Sequence, residues 1–171
     1  MSEYTTTLAD VNDADEETFV ELLGDIYETS PWVAEGTYPK RPFDSVQELA
    51  AAMADTVEDA ARGTKLELLR AHPDLGERTE MTEASEREQA SAGLDELGRE
   101  QYEAFQRLNE TYREKFGFPF IMAVKGESPD AIQSTMEERI EHTADKEFRT
   151  ALEEVHEIAR LRLEERFGAE P

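Results

Sequence analysis

The chain has 171 residues, of which 38% are hydrophobic and 35% are charged, and this length suits one domain with a hydrophobic core. Its formal net charge is −23, from 41 acidic and 18 basic residues. Nucleic acids and anionic membrane surfaces are bound by basic patches, so we expect neither as a partner. The absence of cysteine excludes disulfides, thiolate nucleophiles and cysteine-ligated zinc.

The basic residues are strongly biased towards arginine, with thirteen arginines and only five lysines. An acidic, lysine-poor surface fits a protein that works in concentrated salt, because salt screens the repulsion between carboxylates. We therefore predict a halophilic source. The first ten residues show no basic region followed by an apolar stretch, and no run approaches the ~18 apolar residues of a membrane span. These features predict a cytoplasmic location.

The N-terminal part of the chain has the periodicity of two helices. A capping box over residues 13–16 predicts the start of the first helix, which ends at Ser30-Pro31. We expect a turn at residues 32–33. A second capping signal at residues 45–48 starts the next helix, and Gly63 is predicted to break it.

The central part predicts two short helices. The first starts at Thr64 and ends on His72, because Pro73 cannot extend a helix. The second starts at Thr82 and runs to Gly93. A histidine at a helix end, next to a rigid turn, can point into a cleft instead of along a packed face.

The C-terminal half predicts three longer helices and one exception. The helices cover about residues 98–116, a stretch that starts at Ser128-Pro129-Asp130, and about residues 144–167. The exception is Gly117–Val124, a short apolar segment of extended character. The predicted fold is all-α, a single domain over residues 1–171 made of a compact bundle of about seven to eight helices.

Three features could carry chemistry. Histidine has an unperturbed pKa of about 6.5, so His72 can exchange a proton near neutrality. Ser85, Glu88 and Gln89 are spaced i, i+3 and i+4 and share one helix face, although a solvated face with a capping serine is the alternative. The segment 120–124 leaves backbone groups without ladder partners. A ligand could pair with these groups, and the alternative is a segment of core whose backbone is satisfied by water.

Six stretches distributed along the chain carry a family resemblance. They are Leu-Gly-Asp-Ile-Tyr-Glu-Thr-Ser-Pro-Trp-Val-Ala-Glu (23–35), Arg-Pro-Phe (41–43), Leu-Leu-Arg-Ala-His-Pro-Asp-Leu-Gly (68–76), Ser-Glu-Arg-Glu-Gln-Ala-Ser-Ala-Gly-Leu (85–94), Lys-Phe-Gly-Phe-Pro-Phe-Ile (115–121) and Ile-Ala-Arg-Leu-Arg-Leu (158–163). In this order they resemble the 2-oxo-4-hydroxy-4-carboxy-5-ureidoimidazoline (OHCU) decarboxylase family. That family catalyses the last step in the conversion of urate to (S)-allantoin.

The resemblance implies an all-α carboxy-lyase that needs no metal or organic cofactor, acts on a small-molecule substrate and forms a homodimer. It implies that His72 and Glu88 are the catalytic residues. It assigns substrate binding to Pro73, Ser85, Gln89, Arg162 and the backbone of Phe120, Ile121, Met122, Ala123 and Val124. Arg160 is the alternative to Arg162.

Other functions remain as alternatives. A di-metal helical bundle requires two Glu-x-x-His pairs, and the chain has one, which ends at His156. His142 and His156 are therefore expected to be ordinary helix-surface or rim residues. A serine hydrolase lacks its Gly-x-Ser-x-Gly elbow here. A non-enzymatic acidic helical protein that binds a basic partner is the remaining alternative, and only the net charge favours it.

Overall fold

The computed structural model describes residues 6–76 and 81–168, and all regular secondary structure in these ranges is helical. The all-α prediction is confirmed, with nine α-helices and two short 3-10 turns among the described residues, against the seven to eight helices expected. None of these helices is long and apolar enough to cross a membrane. The helices are α1 (Leu8–Asp13), α2 (Glu16–Leu23), α3 (Trp32–Thr37), α4 (Val46–Glu58), α5 (Arg62–Arg70), α6 (Glu83–Ser91), α7 (Arg99–Phe116), α8 (Pro129–Ile140) and α9 (Ala144–Arg166).

The predicted first helix is α2, which ends at Leu23 instead of Ser30-Pro31, and α1 before it was not predicted. The capping box expected at residues 13–16 is wrong. The cap of α2 is Asp15, whose carboxylate accepts a hydrogen bond from the Thr18 N–H at 2.8 Å. A true capping box joins Thr7 and Asp10 at the start of α1. Each of the two short helices therefore has its own start signal.

Two further local expectations, at residues 32–33 and at Gly63, are wrong. The turn expected at residues 32–33 is the first turn of α3, because Pro31 occupies the N-cap with φ −63°, a value suited to a helix entry. Gly63 does not end the preceding helix, since α4 already ends at Glu58, and it lies inside α5. A glycine in a helix costs only about 1 kcal/mol relative to alanine, so tertiary packing can override it.

The chain divides into two compact units, and α9 contributes residues to both. Unit 1 comprises Met1–Leu68 and His156–Pro171, and unit 2 comprises Leu69–Val155. That the whole chain forms a single domain stays a prediction.

In unit 1, α3 packs against both α2 and α4. The chain before α4 is held by two hydrogen bonds between the Asn12 side chain and the backbone of Phe43, at 2.9 and 2.8 Å. Buried apolar side chains of this unit include Phe19, Leu23, Ile26, Val33, Leu49, Met53, Val57, Ala159 and Leu163.

In unit 2, α7 packs against α8 and ends at Gly117, whose φ of +84° favours glycine. The chain then turns into the apolar segment, which has neither helix nor strand from Pro119 to Val124. Tyr112 of α7 meets the ring of Phe120 edge-on, with centroids 5.4 Å apart. This contact brings the apolar segment against α7.

Candidate active site

His72 lies directly after α5, as the sequence predicts. Its backbone N–H donates to the Leu69 carbonyl at 3.2 Å, which completes the last turn, and Pro73 then prevents further helix. The residue is only 7% exposed. A buried imidazole at a helix end, with a rigid turn after it, is a suitable group for transferring a proton inside a cavity.

The turn after His72 is held by a side chain of α6. The Gly76 N–H donates to Oε1 of Gln89 at 2.9 Å, and this bond is buried. Nε2 of Gln89 faces the Met81 sulfur at 3.6 Å, a weak acceptor. Gln89, a predicted substrate-binding residue, thus also fixes the turn that carries the histidine.

Two residues of α7 hold the same turn from another direction. Nδ2 of Asn109 donates to the Leu75 carbonyl at 2.9 Å, and Arg113 pairs with Asp74 at 2.6 Å. Asn109 is buried, and its Oδ1 atom has no hydrogen-bond partner among the described residues. An unsatisfied buried oxygen costs free energy, whereas the N–H of the same amide stabilises the turn through Leu75.

The face of α6 that carries the predicted polar group is buried rather than solvated. Thr82 caps the helix and accepts the Ser85 N–H at 3.2 Å. Ser85 and Gln89 are 4% and 6% exposed, and Glu88 is partly exposed. The alternative of a solvated helix face with a capping serine is therefore wrong, because the face is buried and the cap is Thr82 and not Ser85.

Two backbone groups of the segment Phe120–Val124 are paired with charged side chains. Nη1 of Arg139 donates to the Ile121 carbonyl at 2.8 Å, and the Ala123 N–H donates to Oε1 of Glu154 at 2.8 Å. The expectation of orphan backbone groups here is thus only partly met, because protein side chains satisfy two of them. Sequence reasoning missed both Arg139 and Glu154.

Arg139 belongs to a buried charged cluster around Glu147, which is fully buried. Glu147 accepts hydrogen bonds from Tyr112 at 2.5 Å and from Nε of Arg139 at 2.9 Å, and it lies 2.8 Å from Nδ1 of His142. Burial, followed by the hydrogen bond to Glu147, raises the pKa of the Tyr112 hydroxyl above its usual value of 10.0. The cluster fixes the Arg139 side chain that contacts the segment.

Arg162 lies in unit 1, whereas the other predicted site residues lie in unit 2. It is 8% exposed, its Nη2 lies 2.9 Å from Oε1 of the buried Glu28, and its Nη1 is 3.4 Å from the Ile26 carbonyl. Arg160, the alternative, is exposed and pairs with neighbouring glutamates of its own helix. The two arginines thus differ sharply in burial and in preorganisation.

The histidines considered as metal ligands contact carboxylates. Nε2 of His156 lies 2.7 Å from Glu58 and its Nδ1 lies 2.8 Å from the Tyr27 hydroxyl, while His142 contacts the buried Glu147. Within residues 6–76 and 81–168, no group of three ligating side chains is placed to hold a metal ion.

Comparison with known proteins decides the family. The family model of OHCU decarboxylases matches residues 12–164. The chain belongs to the OHCU decarboxylase family. It is 66% identical to the OHCU decarboxylase of Haloferax volcanii, over 98% of this chain and 99% of that protein. It is 64% identical to the OHCU decarboxylase of Halalkalicoccus jeotgali, over 93% of this chain and 90% of that protein.

A solved structure supports the same family. The crystal structure of an (S)-allantoin synthase superposes on this OHCU decarboxylase family member with a TM-score of 0.78 and 34% identity. The match covers 94% of this chain and 54% of that one, so this chain spans about half of the synthase's length. The resemblance seen in the sequence is therefore confirmed at the level of family and fold.

Proposed function

We propose that the chain decarboxylates OHCU to (S)-allantoin in the degradation of urate. The observation that carries this proposal is the buried imidazole of His72, held at a helix end in a chain of the OHCU decarboxylase family. Membership of an enzyme family favours this function over a non-enzymatic acidic protein that binds a basic partner.

The substrate supplies its own electron sink. Its carboxylate lies on a carbon that also bears a hydroxyl group and adjoins a ring C=N bond. When the carbon–carboxylate bond breaks and carbon dioxide leaves, the electron pair forms a new C=C bond, and the imine nitrogen takes up a proton. The resulting enol becomes a carbonyl when its hydroxyl loses a proton and the neighbouring carbon gains one. The protein must therefore orient the carboxylate and deliver that last proton to one face.

His72 is the proposed proton donor, and Glu88 orients it or binds the substrate hydroxyl and ring N–H. The hydrogen bonds on Leu75 and Gly76 support this assignment, because they hold the turn next to the imidazole. A fixed donor transfers its proton to one face only, which is the requirement for a chiral product.

Arg162 is the proposed anchor for an anionic or carbonyl edge of the substrate, in preference to Arg160. Its burial and its pairing with Glu28 support this choice, since a preorganised guanidinium loses little side-chain entropy when it binds a ligand. The remaining substrate contacts are proposed for Pro73, Ser85, Gln89 and the backbone of Phe120–Val124.

The test adds purified protein to urate that has been freshly oxidised and ring-opened by the upstream enzymes. We expect circular dichroism to detect (S)-allantoin forming well above the slow background rate. Racemic product at the background rate would contradict the proposal. The His72→Asn variant, purified in the same way, controls for a contaminating decarboxylase.

We further propose that the protein is a cytoplasmic homodimer from a halophile. The family resemblance supports the dimer, and the net charge of −23 with five lysines supports adaptation to salt. Light scattering coupled to size exclusion, at low and at molar salt, tests the dimer. A monomer at both salt concentrations would contradict it.

A further inference from the structure

We propose that Glu154 and Arg139 are positioning residues that anchor one edge of the segment Phe120–Val124 and thereby present the Met122 backbone to the substrate. The inference deepens the proposed function and rests on it for the identity of the ligand. Neither side chain is among the residues for which the family resemblance implies a role.

Arg139 anchors the start of the segment. Its Nη1 donates to the Ile121 carbonyl at 2.8 Å, and its guanidinium carbon lies 4.4 Å from the centroid of the Phe120 ring. The same guanidinium donates through Nε to Glu147. A planar group held at three points is a rigid support, because the N–H groups of a guanidinium point in fixed directions.

Glu154 anchors the segment two residues later. Its Oε1 accepts the Ala123 N–H at 2.8 Å, the length expected for a charge-assisted hydrogen bond. Glu154 lies on α9, and its carboxylate reaches the segment from a regular helix. A site supported from regular helices holds its geometry better than one supported by loops.

The spacing of the two anchors determines what remains free. In an extended chain, the backbone groups of residues i and i+2 point to the same side, and those of residue i+1 point to the other. Residues 119–124 are neither helix nor strand, and we take the segment as extended, as the sequence predicts. On this basis the anchored groups of Ile121 and Ala123, two residues apart, lie on one edge, and the N–H and C=O of Met122 face the opposite edge.

The Met122 backbone fits a ligand-binding role. Among residues 6–76 and 81–168, neither its N–H nor its C=O makes a hydrogen bond. The residue is partly exposed, between the buried Ile121 and the partly exposed Ala123. A neighbouring donor and acceptor at one residue match a ureido or cyclic urea group, which presents N–H and C=O side by side.

Glu154→Ala is the informative variant, and Glu154→Gln and Glu153→Ala are its controls. Glu154→Gln keeps an oxygen that accepts the Ala123 N–H. Glu153 is the preceding residue on the same helix, its side chain is 65% exposed, and it pairs with Arg149 at 3.7 Å. Glu153→Ala therefore removes an equal charge without touching the segment.

Loss of the anchor should weaken substrate binding more than it slows chemistry. For Glu154→Ala we expect KM to rise about ten-fold with kcat within about two-fold of wild type, as lost uniform binding predicts. Glu154→Gln should restore KM to within about three-fold, and Glu153→Ala should match wild type. Unchanged KM in Glu154→Ala would overturn the proposal, as would equal effects of the alanine variants at 153 and 154.

A measurement without substrate separates this inference from the proposed function. Hydrogen exchange of peptides covering residues 118–126 should accelerate in Glu154→Ala and not in Glu153→Ala. Unchanged exchange would overturn the anchoring even if the enzyme is active. Accelerated exchange in a protein that shows no turnover of OHCU would support the anchor and contradict the proposed function instead.

Discussion

In the proposed mechanism, turnover depends most directly on His72. We expect His72→Asn to lower kcat by about 10²-fold or more, because asparagine keeps a polar side chain but cannot deliver the proton. Steady-state kinetics on freshly generated OHCU measures the effect. His156→Asn is the control histidine substitution, because His156 contacts only Glu58 and Tyr27 among the residues described above. A His72→Asn variant with turnover near that of wild type would remove His72 from the mechanism.

Gly76 closes the turn that carries His72, and its backbone conformation disfavours other residues. Its φ is +77°, and a Cβ atom there would lie 3.0 Å from Leu97 Cδ1 and 3.1 Å from Phe105 Cδ2. We expect Gly76→Ala to lower the free energy of unfolding by about 1–3 kcal/mol and to reduce kcat, since strain at residue 76 shifts the turn.

Denaturant unfolding and kinetics measure the two effects on Gly76→Ala. Gly126 is the matched control, because its φ of +82° imposes the same backbone strain but no heavy atom lies within 4 Å of an added Cβ. A Gly126→Ala variant with the same loss of kcat would show that the turn at residue 76 has no special role.

At the scale of elements, the Glu147 cluster joins α7, α8 and the start of α9 through buried charges and one phenol. Tyr112 remains protonated in the folded state at pH values where an unfolded tyrosine ionises, because burial and Glu147 raise its pKa. Well below pH 10.0 the phenol is protonated in both states and has no effect on the pH dependence. Above it the unfolded state loses the proton first, so the free energy of unfolding falls as pH rises.

Tyr112→Phe should therefore reduce the alkaline loss of stability. We expect its free energy of unfolding to fall less steeply above pH 10.0 than that of wild type, by about 1.4 kcal/mol per pH unit, the contribution of one proton. Urea unfolding at several pH values measures both slopes. Part of the slope should remain, since burial also raises the pKa of Tyr27. Equal slopes would contradict the role of Tyr112.

Elements whose start is encoded within one turn could be predicted from the sequence. Ser45 accepts the Glu48 N–H at 3.0 Å and starts α4 as expected, and the helix expected over residues 98–116 is α7. The short helix α1 and the end of α2 at Leu23 could not, because α1 has six residues and the apolar spacing of α2 continues through Ile26 and Tyr27. Local signals predict a helix end only where the sequence offers a single candidate cap.

The position of His72 after a helix end could be predicted from the sequence, whereas contacts with remote partners could not. Arg139 lies 18 residues from Ile121, and Glu154 lies 31 residues from Ala123. One signal was present for Arg139, which follows Ile132 and Met136 on the buried stripe of α8. A charged residue on an apolar stripe indicates a buried partner, although the stripe does not say which.

For the whole molecule, the dominant property is the net charge of −23. Repulsion between surface carboxylates acts over about 10 Å at 0.1 M salt and over about 3 Å at 1 M. We therefore expect Tm to rise by several degrees between these concentrations. Differential scanning calorimetry in sodium chloride measures the rise, and sucrose at matched osmolality is the uncharged control. A Tm that stays constant in salt would contradict the adaptation.

The buried ion pair of Arg162 and Glu28 responds to salt differently from the exposed ion pairs. Dissolved ions screen exposed ion pairs such as Arg160 with its neighbouring glutamates. They screen the pair of Arg162 and Glu28 much less, because it is excluded from solvent. In brine, the exposed pairs weaken while the guanidinium of Arg162 keeps its orientation. As the proposed substrate anchor, Arg162 is therefore expected to keep the same geometry in dilute buffer and in nearly saturated salt.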